Sequence, residues 1–406
     1  MRFQMTTLLI ALLLSTSIAT AQPPAKPLDP DVAALVKGNN EFAFDLYRQL
    51  SKKEGNIFFS PVSISTTLAI IYAGARGSTA KEMAKTLHFD ENQENVHRLF
   101  SHLIADLEKN TRTTSNRLDL ANALWVQDKL PIEPSFFRSI NDHYRGMFHS
   151  VDFARNPVVA QDRINQWVND KTQGRIRDIL GRADIDSGTQ MYVTNAVSFD
   201  GFWAEPFPSK ATKENYFHLD PKKTVWTPFM NLKKAMFNIS GSENFGILEI
   251  PYQELRTSMF IMLPKETKNL SELEKNLTLL ELEKLLENRK NIKMDQVSIP
   301  KFSISAEYRL SESLKSMGMK SCFSSTADFS GIARGNLCLQ NVIHKTRVDV
   351  DEKGTYASAV TASGARLING GESHFNANRP FIFLVRDNMT GSILFMGRVA
   401  HPKMQN

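Results

Sequence analysis

The stretch from Gly354 to Gly371 is 18 residues long, holds no proline, and carries a single charge, Arg366. Twelve of those residues are Gly, Ala, Ser or Thr. A string of turns would show Pro, Asn-Gly or Asp-Gly punctuation, and a disordered linker would hold more charge and proline. Connections of this length inside a compact domain are either functional or disordered. The alternation is informative, because strand side chains point to opposite faces with period two. Thr355, Ala357, Ala359, Thr361, Ser363 and Ala365 fall on one face, all small. Tyr356, Ser358, Val360, Ala362, Gly364 and Arg366 fall on the other. A strand of this kind can enter the middle of a sheet without overfilling the core below, and it has no proline to interrupt a central ladder. The plainer alternative is a Ser/Ala-rich flexible loop.

Strands are expected on both sides of this stretch, at Leu337–Val350 before it and at Phe381–Val385 and Ile393–Val399 after it. Upstream, apolar spacing predicts helices over Pro30–Lys52, Val62–Tyr72, Thr79–Leu87, Asn92–Glu108, Pro134–Tyr144 and Ala160–Lys171, the last stopped by Gly174. Ser60-Pro61 reads as a cap followed by proline at the first helical position. Strands are expected at Ile57–Phe59, Leu118–Val126, Met191–Phe199, through much of the chain to Pro264, and at Gln296–Ser305. Leu270–Leu286 and Ser311–Met317 read as helix. Helices first, then mixed strands, then the long connection make an α+β class with at least two sheets.

Residues 1–21 read as a secretory signal peptide: Arg2 at the start, the apolar run Leu8–Leu14, and Ala19-Thr20-Ala21 before the cut. The run is too short to span a bilayer, and no later window is long enough. The expected organisation is a leader over 1–21, a short linker over 22–30 and one domain over 31–406, exported and without a membrane span. The two cysteines, Cys322 and Cys338, sit among apolar residues, so two buried free thiols are expected, with one disulfide left open. The net charge of +6 is scattered, with no five-residue basic run. Nucleic acid is therefore not an expected partner, and a polyanion stays open without a clear site. Asn238, Asn269, Asn276 and Asn388 begin N-x-S/T triplets, which matter only in a host that glycosylates.

No G-x-S-x-G, P-loop, G-x-G-x-x-G, H-E-x-x-H or C-x-x-C pattern is present. No enzyme, metal or cofactor is called for. His344, in an apolar strand, reads as a core histidine rather than a catalytic one.

Several long segments, taken in order, resemble the serpins: NIFFSPVSIS, INQWVNDKTQGRI, VTNAVSFDGFWAEPF, ADFSGI, VIHKTRVDVDEKGT and FNANRPFIFLV with GSILFMGRV. The resemblance runs from about residue 31 to the C-terminus. It implies the serpin fold, with three β-sheets, eight or nine helices and an exposed reactive-centre loop at about 354–374. It also implies a monomeric suicide inhibitor of serine, or sometimes cysteine, endopeptidases, whose cut loop enters the large sheet as a new strand. A non-inhibitory carrier or chaperone-like serpin is the alternative. By the same resemblance Glu352, Gly354, Thr355, Ala357, Ser358 and Ala359 form the hinge, with Val360 and Tyr356 larger than the family pattern. Glu352 is implied to pair with Lys301 above Trp203, and Ser60, Ser63, Asn195 and His344 to form a polar cluster beneath the sheet's opening. The family's spacing puts the reactive bond at Ile368–Asn369, suited to an elastase-like enzyme. The alternatives are Arg366–Leu367, for a trypsin-like one, and Leu367–Ile368.

Overall fold

Asp29 starts the first helix: its carboxylate accepts from the Asp31 amide at 2.9 Å, and Pro30 takes the first turn, where a missing amide costs nothing. That helix, α1, runs Pro30–Leu50. The computed structural model describes residues 28–403 except 112–114, 145–146, 183, 267–269, 336 and 356–372. Strand β1 (Ile57–Phe59) leads to Ser60, which caps α2 (Pro61–Tyr72), a helix with every residue buried. Then come α3 (Gly77–Leu87), α4 (Gln93–Thr111), β2 (Asn116–Gln127), α5 (Pro134–His143), β3 (Phe148–Val151) and α6 (Pro157–Lys171). Just past α6, Gly174 adopts φ +80° and donates its amide to the Asn169 carbonyl at 2.8 Å, which ends the helix.

The middle of the chain holds β4 (Met191–Phe202), β5 (Lys213–Asp220), β6 (Lys223–Gly241), β7 (Phe245–Pro251), β8 (Thr257–Pro264), α7 (Leu270–Asn276) and α8 (Leu279–Glu287). The rest adds β9 (Lys290–Pro300), β10 (Phe302–Arg309), α9 (Ser311–Met317), β11 (Val342–Val350), β12 (Gly354–Thr355), β13 (His374–Asn376), β14 (Phe381–Asp387) and β15 (Ile393–Val399).

Four expectations from the sequence change here. The helix over 270–286 is two helices, because Thr278 caps the second through the Glu281 amide. The strand over 296–305 is also two, and Lys301 is the joint at which the chain leaves one sheet for the other. The strand over 337–350 begins only at Val342. In the preceding segment Leu337 and Leu339 point inward, while Cys338 between them is exposed; Cys322 is buried and both thiols are free.

Among the described residues there are two hydrogen-bonded sheets. The larger runs β1-β15-β14-β8-β7-β6-β9-β13, with β5 also on β6. Its 19-residue strand β6 pairs with β9 in one register from Phe229 to Ile239, skipping only Lys234, where φ is 58°. The smaller sheet runs β10-β11-β12-β4-β2-β3. Helix α2 packs between the sheets, against β2 and β4 on one side and β15 on the other. On the opposite face of the smaller sheet, α6 buries Ile164 and Val168 against Trp125, Tyr192, Ala196 and Ile343. No helix among the described residues is long and apolar enough to cross a membrane.

Candidate functional site

At one end of the smaller sheet, β11 turns back on itself through residues 351–353 and returns as the two-residue strand β12. Thr355 lies opposite Val350 of β11 and Gly201 of β4, and Gly354 lies opposite Phe202. The returning chain is therefore wedged between two neighbours and runs antiparallel to both. Only glycine fits at 354: a Cβ there would stand 1.8 Å from the Gly201 carbonyl oxygen.

The turn is pinned from several directions. Trp203 donates its indole Nε1–H to the Asp351 carbonyl at 2.9 Å and its amide to the Lys353 carbonyl at 2.8 Å. Phe207 donates its amide to the Glu352 carbonyl at 2.8 Å. The Glu352 carboxylate accepts from Lys301 Nζ at 2.8 Å and from Thr212 Oγ1 at 2.7 Å. Burial pushes this carboxyl upward, but the two hydrogen bonds outweigh it, and the group lies below its usual range. Asp351 beside it lies above its usual range because of burial. Thr355 is almost wholly buried, and its Oγ1 is 2.7 Å from the Tyr252 hydroxyl. The Tyr252 ring stacks on Trp203, with centroids 4.6 Å apart and an interplanar angle of 18°. These contacts gather Glu352, Lys301, Trp203, Gly354 and Thr355 into one site.

Beneath this mouth β11 and β4 pair directly, in parallel, from Val342↔Val193 to Arg347↔Ser198. His344 and Asn195 are partners in that register, and the His344 Nδ1 and Asn195 Oδ1 atoms are hydrogen-bonded. The Ser60 amide donates to His344 Nε2 at 3.0 Å, so Nε2 is the acceptor and Nδ1 carries the proton. Asn195 Nδ2 stands within 2.9 Å of Ser63 Oγ, Thr67 Oγ1 and Asn122 Oδ1. His344 is fully buried, which brings its pKa down to about 3 and keeps the ring neutral. Ser60, Ser63, Asn195 and His344 thus form one buried network. It is a neutral structural cluster without a nucleophile–base pair opening to solvent. No cluster of metal-ligating residues occurs among the described residues.

Ala357, Ser358 and Ala359, and Arg366, Leu367, Ile368 and Asn369, lie outside the described residues. The described chain resumes at Ser373, whose amide donates to Asp295 Oδ2 at 2.9 Å, and continues into β13, which pairs with β9.

A family model described as Serpin (serine protease inhibitor) matches residues 37–402. This chain belongs to the serpins. The leukocyte elastase inhibitor of Xenopus tropicalis is 38% identical to it over 370 residues, spanning 89% of this chain and 97% of the relative. An uncharacterized serpin-like protein of Thermococcus kodakarensis is 39% identical over 374 residues, 91% of this chain and 86% of the relative. Human thyroxine-binding globulin, solved in complex with thyroxine, superposes with a TM-score of 0.82 at 30% identity, covering 92% of this chain and 100% of that one. Membership puts this serpin among protease inhibitors rather than catalysts, and its α+β fold is the family's.

Sequence reasoning missed Tyr252, Thr212, Asn122 and Thr67. For two of them a signal was available. Ser63 and Thr67 stand four apart in a largely apolar helix, which puts their two hydroxyls on one face. Asn122 interrupts the apolar strand LDLANALWV. Nothing local marks Tyr252 or Thr212, which reach the turn from more than 100 residues away.

Proposed function

We propose that this serpin is an exported suicide inhibitor of serine endopeptidases, cut at Ile368–Asn369. The leader at 1–21 directs export, 22–30 is a linker, and 31–406 is the inhibitory domain. The protease's serine oxygen attacks the Ile368 carbonyl, the Ile368–Asn369 amide breaks, the new amine leaves with a proton, and an ester joins Ile368 to the enzyme. The freed segment then enters the smaller sheet between β11 and β4 and carries the ester-linked protease with it.

The observation that carries this reading is the seating of Gly354 and Thr355. The segment's first two residues already occupy the position between β11 and β4, and its next residues alternate small side chains on the inward face. Extending that register places Thr361 opposite His344 and Asn195. Glu352, Lys301 and Trp203 then act as the fixed pivot for the turn, and Ser60, Ser63, Asn195 and His344 as the cluster that must part. The fold alone does not decide this, since a neighbour of the same shape binds thyroxine. The absence of charge, proline or large residues from the inward face at 355–365 favours inhibition.

The test is incubation with a purified elastase-like endopeptidase. An SDS-resistant complex and a released fragment beginning at Asn369 are expected. A fragment beginning at Leu367 would assign a trypsin-like target. Quantitative cleavage with no complex, and no rise in melting midpoint, would establish the carrier alternative.

A further inference from the structure

The hairpin of β5 and β6 carries the most exposed aromatic pair among the described residues. Tyr216 and Trp226 are cross-strand partners with ring centroids 4.1 Å apart, and they are 46% and 62% exposed. A ring pair in close contact yet left in water bears the ordering cost of two large side chains without gaining their burial. The residues between them and the core behave normally: Phe217 and Thr227 are buried, so Tyr216 and Trp226 are on the outward face by strand alternation. Glu214 and Thr224, also exposed, share that face and give it a polar rim.

The position of the hairpin indicates what would cover it. Just before β5, Thr212 binds the Glu352 carboxylate, in the turn that leads to β12, the last described strand before residue 356. Near the far end of β5, His218 donates its amide to the Asn378 carbonyl at 2.8 Å, two residues past β13, where the chain has returned. The hairpin thus ties together the two stalks that bracket residues 356–372. A globular enzyme gripping the segment between the stalks must pass its body over the structure that joins them.

We propose that the Tyr216–Trp226 face is a secondary docking surface for the target serine endopeptidase, contacted outside its active-site cleft while the cleft holds the segment. The inference rests on the inhibitory reading above. The surface selects among enzymes that share the same preference at the cut bond, and it acts on encounter rather than on insertion. An aromatic anchor with a polar rim is the usual makeup of such a contact.

Two measurements test it. The first is the second-order rate constant of complex formation with an elastase-like endopeptidase. The second is the affinity for the same enzyme with its active-site serine replaced by alanine. Trp226→Ala should lower both by roughly tenfold, the effect of losing one interface anchor, with stoichiometry and melting midpoint unchanged. Trp226→Phe should recover most of the loss. Unchanged rate and affinity in Trp226→Ala would overturn the surface. So would a wild-type dimer that Trp226→Ala turns into monomer, since the face would then belong to a second copy. If the wild type is cleaved without forming a complex, the inhibitory reading fails. The docking surface is then decided by the inactive enzyme alone: a roughly tenfold loss of affinity in Trp226→Ala upholds it, and an unchanged affinity removes it.

Discussion

Replacing Tyr252 by Phe removes one oxygen from the place where the hinge is seated. The hydroxyls of Tyr252 and Thr355 are 2.7 Å apart, and both residues are almost completely buried. Neither oxygen can turn to water when the other is lost, so the change costs about 1–2 kcal/mol, the range for a buried hydrogen bond broken on one side. Thr355→Val, which keeps the shape and removes the other hydroxyl, should cost about the same. Because both act on one bond, the double variant should cost little more than either single one, a coupling of about 1 kcal/mol. The seated state of β12 then loses roughly tenfold in population against the unseated one. Hydrogen exchange reads this directly: the Asp351 amide donates to the Gly354 carbonyl and the Gly354 amide to the Asp351 carbonyl. In Tyr252→Phe both should exchange roughly tenfold faster while the strands of the larger sheet keep their protection. Additive costs in the cycle, or unchanged exchange at these two amides, would refute the claim that this hydroxyl pair holds the hinge.

Lys301→Ala should cost about 3 kcal/mol in denaturant unfolding, because it leaves the Glu352 carboxylate half-buried with only Thr212 to serve it. The Glu352 carboxyl lies below its ordinary value of 4.5, so the wild-type advantage should be complete at neutral pH and should fade as pH falls below 4.5. Burial brings His97 and His344 each down to about 3 from 6.5, with the neighbouring His143 adding to the effect on His97. Their contribution to stability is full above pH 6.5 and is lost as pH falls towards 3, at about 1.4 kcal/mol per pH unit for each ring. Unfolding at pH 7, 6 and 5 should show this slope, and His97→Phe should remove about half of it. Gly354→Ala cannot be accommodated against the Gly201 carbonyl, so its hinge amides should exchange at least as fast as those of Tyr252→Phe.

Much of the architecture could be read from short-range pattern. The capped start at Ser60 and the stop at Gly174 both follow from local chemistry that the fold leaves intact. The alternation of small residues after Gly354 was equally legible, because inward and outward faces are set by period two alone. What escaped was long-range. The apolar alternation shifts phase at Pro300–Lys301, from Val297 and Ile299 to Phe302 and Ile304, but where the chain goes after that break is set by the arrangement of the two sheets. Cys338 was expected to be buried on the apolar character of its neighbours, yet Leu337 and Leu339 take the inside and the same alternation leaves Cys338 outside. Tyr252 is an ordinary strand tyrosine in sequence, and it matters only because Trp203 and Thr355 are brought to it. That Gly354 and Thr355 are already in place could not be read either, since it depends on how the returning chain meets β4 and β11.

The seam between β4 and β11 has a consequence set by chain direction. Its two strands run the same way, and their bonds are slanted, the slightly weaker of the two ladder patterns. Any chain descending from Thr355 must run against both, so each position it takes exchanges one slanted contact for a perpendicular pair on either side. Once the first step is made, every later step repeats the same favourable exchange, and depth accumulates gain in proportion. A cross-tie that interrupts this arithmetic is the bond from His344 to Asn195, six residues down. For the insertion proposed above, strand polarity would therefore act as a ratchet, and a neutral histidine as its catch.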